Sequence, residues 1–197
     1  MNPLLRFALH TAILIEKQSF DFYQYAARIV SNDKTRLLFK ILASDEASHL
    51  RIFQEFYQEQ EFGDLSRLLN HPPDLGTPVY RALLESIDAN TQVKEALEIS
   101  LREEEGCIEF YSGLIRSFKE PGLCRLFEQA LFETRMHCKI IRAEYMRVTG
   151  MVGMPDGDTH AYGQSNSRII NLRREDSNLA NRLTGNQRRL LPETYGG

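Results

Sequence analysis

Several features that mark particular classes of protein are missing from this sequence. Its three cysteines, Cys107, Cys124 and Cys138, are odd in number and form no C-x-x-C pair, so neither a disulfide framework nor a structural zinc site is expected. The longest early apolar run, residues 12–15, stops at Glu16, which is too short for a signal-peptide core or a membrane span. We therefore expect a cytoplasmic protein that does not cross a membrane.

A strong net charge is also missing. The 197 residues carry a formal charge of −3, which gives no reason to expect binding to nucleic acid or to an anionic membrane. Hydrophobic residues make up 42% of the chain and charged residues 26%, as in one globular domain with or without an appendage.

Long stretches of helical periodicity are what the sequence does contain. Apolar or small residues recur at helical spacing over residues 3–30, and again over residues 34–58. Ser31-Asn32-Asp33 separates the two segments and supplies residues that cap helices, so an antiparallel hairpin over residues 3–59 is predicted. The predicted apolar side of the second helix comprises Leu37, Leu38, Ile41, Leu42, Phe53 and Phe56.

A second pair of helices is predicted over residues 91–118 and 121–150, the latter opened by Pro121, which suits a first helical turn. This hairpin, about 91–149, follows a crossover at residues 60–90 that is punctuated by glycine and proline. One short helical candidate, residues 79–87, lies in the crossover.

The crossover is long, as in bundles where one connection runs from end to end. The sequence therefore predicts an all-α fold in which residues 1–150 form a four-helix bundle.

Residues 151–197 differ in composition from the rest, being rich in Gly, Asn, Ser and Arg with scattered apolar residues. We expect an irregular C-terminal tail that is extended or disordered, with one short helical candidate at 178–183. Two interpretations stay open: a loose terminus without a role, or a docking peptide for a partner or a shell.

The chain repeats itself with a constant offset of 88 residues. Eleven identities join residues between 8 and 57 to their counterparts without a gap. They include Glu16 with Glu104 and His49 with His137, which are titratable residues inside otherwise apolar stripes. The repeat predicts two duplicated hairpins that pack around a pseudo-twofold axis.

A Glu-x-x-His pair lies in the second helix, because Glu46 and His49 are three residues apart and project from one face. The repeat predicts that they face Glu104 and His137 across the bundle, beside Glu16. Carboxylates that are buried together repel one another, so they bind protons or a cation neutralises them. One Glu or His alone has an ordinary structural role, but five in register predict a metal site suited to iron or manganese.

These motifs carry a family resemblance. The run Glu16-Lys17-Gln18-Ser19-Phe20-Asp21-Phe22-Tyr23, then Leu38-Phe39 and Glu46-x-x-His49, resembles the rubrerythrin branch of the ferritin-like superfamily. The second half, Glu104 through Phe110-Tyr111 to His137, resembles the same family's second hairpin, so the resemblance covers residues 5–148. It implies a ferritin-like bundle with a carboxylate-bridged di-iron centre that reacts with peroxide or dioxygen, and a homodimer.

Two positions depart from the family pattern. Thr134 stands where the second hairpin should carry the counterpart of Glu46, so one bridging carboxylate is missing. Glu133 is either a replacement ligand or, like its counterpart Asp45, an acid that hydrogen-bonds a ligating His. Cys107 stands where the family often has a further Glu, and is either an iron ligand or a small packed residue.

The predicted ligands are Glu16, Glu46, His49, Glu104 and His137, with Glu133 as a further candidate. The residues expected beside them are Asp45, Tyr23, Tyr111, Thr134 and Cys107. Two divalent ions carry four positive charges, whereas the three glutamates supply three negative ones. We therefore expect the second ion to bind more weakly, or the site to hold a single ion, unless Glu133 or a solvent anion completes it. Iron is the expected metal, and manganese or zinc are the alternatives.

The resemblance implies a non-haem iron oxidoreductase of peroxidase or ferroxidase type, with a role in oxidative stress. Electrons are expected from another protein, because the paired C-x-x-C motifs of an electron-transfer module are absent. The alternative is a non-catalytic ferritin-like module that binds metal or dimerises. A third interpretation is a cargo protein that docks through its tail.

Overall fold

A computed structural model describes residues 2–57, 61–73, 81, 85, 87 and 91–151 of the chain. Apart from single positions, the helical candidate at 79–87 lies outside the described residues. The predicted tail and its helical candidate at 178–183 lie outside them as well, except for Met151.

The described part of the chain is all-helical. Its helices are α1 (Pro3–Ile29), α2 (Asp33–Tyr57), α3 (Leu65–Asn70), α4 (Val93–Ser117) and α5 (Pro121–Thr149). α1 packs lengthwise on α2, and α4 packs lengthwise on α5, so the two predicted hairpins and the helical bundle are confirmed. The four long helices begin and end within two residues of their predicted bounds. None of the described helices combines the length with the apolar composition that crossing a membrane requires.

Side-chain caps explain where the second helix of each hairpin begins. Asn32 accepts a hydrogen bond from the backbone N–H of Thr35 at 3.1 Å, and Glu120 accepts one from Leu123 at 3.0 Å. Such bonds satisfy backbone donors that a helix start leaves without partners. At the other end of α5, Gly150 takes a left-handed conformation with φ 72°, which favours glycine and ends the helix.

The short helix α3 was not predicted from the sequence. Gly63, with φ 69°, turns the chain, and Asp64 then caps the helix by accepting a hydrogen bond from Arg67 N at 2.7 Å. Leu68 is the residue that α3 buries. The helix has six residues, which is too short for apolar periodicity to reveal it.

The predicted apolar side of α2 is only partly correct. Its exposed members are Leu37, Ile41 and Phe56, at 59, 47 and 43% exposure. The face that α2 turns inward does include Leu42 and Phe53, but it also includes Glu46 and His49. Apolar spacing alone would place these two polar residues on the solvent side of α2. The buried face predicted in this way is therefore rotated about the helix axis from the observed one.

α1 and α4 lie deeper in the bundle than α2 and α5. Every residue in 15–20 and in 96–104 is buried, including charged ones such as Lys17 and Arg102. An α-helix completes a turn in fewer than four residues, so α1 and α4 present no solvent-facing side chain along these stretches. α2 and α5 keep exposed faces along their whole length.

Candidate metal centre

The four long helices bring five titratable side chains together in the interior of the bundle. Glu16 comes from α1, Glu46 and His49 from α2, Glu104 from α4 and His137 from α5. None of these residues is more than 4% exposed. Each was predicted from the sequence, and the structure places all of them at one level.

The ligand atoms of these side chains form two overlapping groups. Glu16, Glu46 and His49 make one group, and Glu46, Glu104 and His137 make the other; within each group the atoms lie within 4.8 Å of one another. Glu46 belongs to both groups, because its Oε2 lies 3.0 Å from His49 Nδ1 and its Oε1 lies 3.4 Å from His137 Nδ1. One carboxylate thus offers a different oxygen to each group, which is the arrangement of a bridging ligand.

Both histidines point Nδ1 toward the carboxylates. His49 Nδ1 lies 3.0 Å from Glu16 Oε2, and His137 Nδ1 lies 3.3 Å from Glu104 Oε1. Within the described chain His137 Nδ1 is buried and has no hydrogen-bond partner of good geometry. A cation held between Nδ1 and the carboxylates would satisfy this atom, so the residues fit a pair of metal ions.

Carboxylates also lie at the outer nitrogens of the two rings. His49 Nε2 contacts Glu133, and His137 Nε2 lies 3.5 Å from Asp45 Oδ2. Ligating histidines commonly donate their second N–H to a carboxylate, which fixes the ring and makes the other nitrogen a better ligand. Glu133 lies outside both groups of ligand atoms. The structure therefore pairs it with the outer side of His49, as its counterpart Asp45 is paired with His137.

Two tyrosines hold the terminal glutamates. Tyr23 donates to Glu104 Oε1 at 2.5 Å, and Tyr111 donates to Glu16. Burial and the neighbouring carboxylates raise the pKa of both Tyr23 and Tyr111 well above the ordinary value, so both phenols stay protonated and donate. The sequence placed each tyrosine near the ligands, but each of them bonds the glutamate of the opposite hairpin.

The two positions that depart from the family pattern supply no ligand in this structure. Thr134 is buried, and its Oγ1 donates to the carbonyl of Ala130 at 2.8 Å within its own helix. Cys107 is a buried thiol one turn after Glu104, and it belongs to neither group of ligand atoms. The centre therefore has three carboxylates where a complete di-iron site has at least four.

Protons on Glu46 and on the two histidines offset the buried negative charge when no cation is bound. Burial and the Glu16 carboxylate raise the pKa of Glu46 to about 8. Burial disfavours the charged form of Glu16, but the positive His49 and its hydrogen bonds lower the pKa of Glu16 to about 2.

Burial disfavours charged imidazole too, but the neighbouring carboxylates of Glu104 and Glu46 raise the pKa of His137 to about 11. Burial also disfavours the charged form of His49, but the nearby charge of Glu16 is the main cause that raises the pKa of His49 well above the ordinary value. A metal ion must therefore displace protons to bind.

One buried acid beside the centre was not predicted from the sequence. Glu103 is fully buried, and its Oε1 accepts a hydrogen bond from Ser19 Oγ at 3.0 Å. Its counterpart in the repeat is Ile15, so the offset of 88 gives no signal for it. Only the run of three acids at 103–105 hints that one of them points inward.

The fold and the centre together define a four-helix-bundle protein with two linked carboxylate–histidine groups. The rubrerythrin family model matches residues 8–145, and the chain belongs to the rubrerythrin family. Comparison with curated proteins gave no match, and neither did comparison with solved structures.

Proposed function

We propose that this protein binds two iron ions and acts as an oxidoreductase on peroxide or dioxygen. The observation that carries the proposal is the position of Glu46, whose two oxygens face two separate sets of carboxylate and imidazole atoms. Family membership supports it as well. When bound, iron would supply the electrons that reduce the oxidant.

Each residue of the centre has a distinct part in this proposal. Glu16 and His49 hold one ion, Glu104 and His137 hold the other, and Glu46 links them. Burial of all five keeps bulk water away, which strengthens every electrostatic interaction among them. Sulfur is absent from both groups, and this favours iron or manganese over a soft metal.

The surrounding residues tune that set of ligands. Tyr111 bonds Glu16 Oε1 and leaves Oε2 facing His49. Tyr23 bonds Glu104 Oε1, the same oxygen that faces His137. Glu133 contacts the outer nitrogen of His49, and Asp45 lies 3.5 Å from that of His137; both carboxylates favour rings with Nδ1 directed inward. The proposed electron donor is another protein.

Metal counting and peroxide reactivity test the proposal together. The protein is loaded anaerobically with ferrous iron, desalted, and its iron per chain is determined by elemental analysis. Stopped-flow mixing with peroxide should then oxidise the bound iron much faster than free ferrous iron in the same buffer. Glu46→Gln protein is the control, because it lacks the shared carboxylate. Oxidation no faster than that of free iron counts against the enzyme.

A second candidate is a non-catalytic module that holds one structural metal ion. Thr134 favours it, because its hydroxyl is engaged with Ala130 and provides no fourth carboxylate. One ion per chain, together with no peroxide-driven oxidation, would support this candidate. A homodimer, a cytoplasmic location and docking through residues 151–197 stay predictions, and sedimentation of the metal-loaded protein tests the first of them.

A further inference from the structure

The metal centre is closed on one side of the bundle and accessible on the other. Residues 15–20 of α1 and 96–104 of α4 are all buried, so the stretch that carries Glu16 and the stretch that leads into Glu104 present no exposed side chain. α2 and α5 carry the exposed surface at this level. A hydrated ion therefore approaches from the α2–α5 side.

A narrow cleft lies between α2 and α5 on that side. Its walls include Ile52 of α2 with Gln129 and Ala130 of α5, and it reaches His49 and Glu133. The open volume is about 10 Å³, which is room for roughly one water molecule. The cleft ends at a histidine of the first group, where the side chain is otherwise buried.

Glu133 connects solvent with the end of this cleft. Its side chain is 35% exposed, yet its Oε2 contacts His49 Nε2. The other oxygen accepts a hydrogen bond from Gln129 Nε2 at 3.0 Å, and Gln129 is itself exposed. Glu133 can therefore swing toward solvent without disturbing any buried backbone, and a carboxylate can replace water on a divalent ion.

The internal repeat gives the lining of the cleft different counterparts in the other half of the bundle. With the offset of 88, Ala130 corresponds to Leu42, and Gln129 corresponds to Ile41. Leu42 is fully buried. Its large apolar side chain stands at the position where the other half has the smaller Ala130, which lines the cleft. The surroundings of His137 thus differ from those of His49 in side-chain volume.

We propose that divalent cations reach the centre through the cleft at Ile52, Gln129 and Ala130, with Glu133 receiving them from solvent and passing them into the first ligand group beside His49. The inference rests on the proposed metal-binding function. Glu133 thus has a role in transport, because its carboxylate is partly exposed to solvent and also contacts His49 of the first ligand group. The first group, Glu16 with Glu46 and His49, should accordingly fill before the second.

Cobalt(II) alone is the probe, because its absorption bands appear when imidazole and carboxylate ligands replace water. In Ile52→Trp protein the indole covers the mouth of the cleft. Stopped-flow uptake and chelator-driven release of Co²⁺ should both slow by about tenfold or more, with unchanged final stoichiometry. The matched control is Ile140→Trp, the repeat counterpart of Ile52, whose rates should stay within about twofold of wild type.

Two further variants keep the test decisive if Ile52→Trp folds poorly by circular dichroism. Ala130→Leu narrows the cleft as Leu42 does in the other half, and Glu133→Gln removes the receiving charge while keeping the size. Both should slow Co²⁺ uptake. Wild-type uptake rates in the folded variants overturn the inference, whereas absence of Co²⁺ binding by wild-type protein overturns the proposed metal-binding function itself.

Discussion

Tyr111 of the second hairpin donates a hydrogen bond to Glu16 of the first. Tyr23 and Glu104 make the reciprocal contact. Each hairpin thus orients a ligand that the other hairpin supplies, so the docking of the two halves and the shape of the centre depend on each other. Both hydroxyls are fully buried, which makes these bonds expensive to remove.

Replacing Tyr111 with phenylalanine should therefore destabilise the metal-free protein. Glu16 loses a donor that water cannot replace, so the free energy of unfolding should fall by about 1–3 kcal/mol. Urea unfolding followed by circular dichroism measures this change. Tyr25→Phe, on the half-buried side of α1, is the control and should be nearly neutral. An unchanged midpoint in Tyr111→Phe would show that the bond contributes nothing.

Glu46→Gln should abolish tight binding of both ions, whereas Glu16→Gln should weaken only one. Glu46 belongs to both groups of ligand atoms, and Glu16 belongs to the first alone. Elemental analysis after anaerobic loading with Mn²⁺ or ferrous iron measures the number of ions per chain. Equal losses in the two variants would contradict a bridging role for Glu46.

Thr134→Glu should strengthen the second ion. The substitution restores the carboxylate that the repeat predicts opposite Glu46. It also removes the hydrogen bond that the Thr134 hydroxyl donates to the Ala130 carbonyl within α5. An increase in affinity of at least about tenfold, or about 1.4 kcal/mol, is expected for Mn²⁺ by isothermal titration calorimetry. Thr134→Gln has the same size without the charge and should give no gain. A similar gain in Mn²⁺ affinity in both variants would mean that side-chain packing, and not the added charge, strengthens binding.

Metal affinity should rise with pH between about 6 and 8, because ions compete with protons for the ligands. The pKa of Glu46 is raised to about 8 by burial and Glu16, and the pKa of His137 to about 11 against the effect of burial, so both hold protons across this range. Raising the pH lowers the free energy needed to remove these protons from Glu46 and His137. Mn²⁺ titrations at several pH values, with a pH indicator to count released protons, measure the effect. Affinity that is independent of pH would contradict it.

The aromatic cluster next to the centre should dominate core stability. Phe53 stacks on Tyr111 with 5.8 Å between ring centroids, and Phe127 lies 6.3 Å from Phe53. Phe127→Ala should lower the free energy of unfolding by about 3–5 kcal/mol, since the buried ring leaves a cavity. Phe132→Ala on the same helix is the control. Phe132 is 63% exposed, so its loss should change stability by less than about 0.5 kcal/mol. Similar effects of the two substitutions in urea unfolding would refute this.

The long helices were predictable because their signals are local. Apolar spacing, the Asn32 cap and Pro121 act within a few residues, and they set the ends of α1, α2, α4 and α5 almost correctly. The same kind of reasoning failed for α3, which has too few residues for a period, and for Leu37 and Ile41, which are exposed. The exposure of Leu37 and Ile41 depends on the rotation of α2, which turns the polar residues Glu46 and His49 inward.

By itself the sequence determined the duplicated hairpins and named the five residues that meet inside them, because a repeat carries ligand positions from one half to the other. Only the tertiary structure decided which oxygen of Glu46 faces which histidine, and that each tyrosine bonds the opposite hairpin. It also decided that Glu133 lies outside the ligand groups and that α1 and α4 are buried all round. These features arise from contacts between residues far apart in the chain, and their geometry follows from how the two hairpins dock.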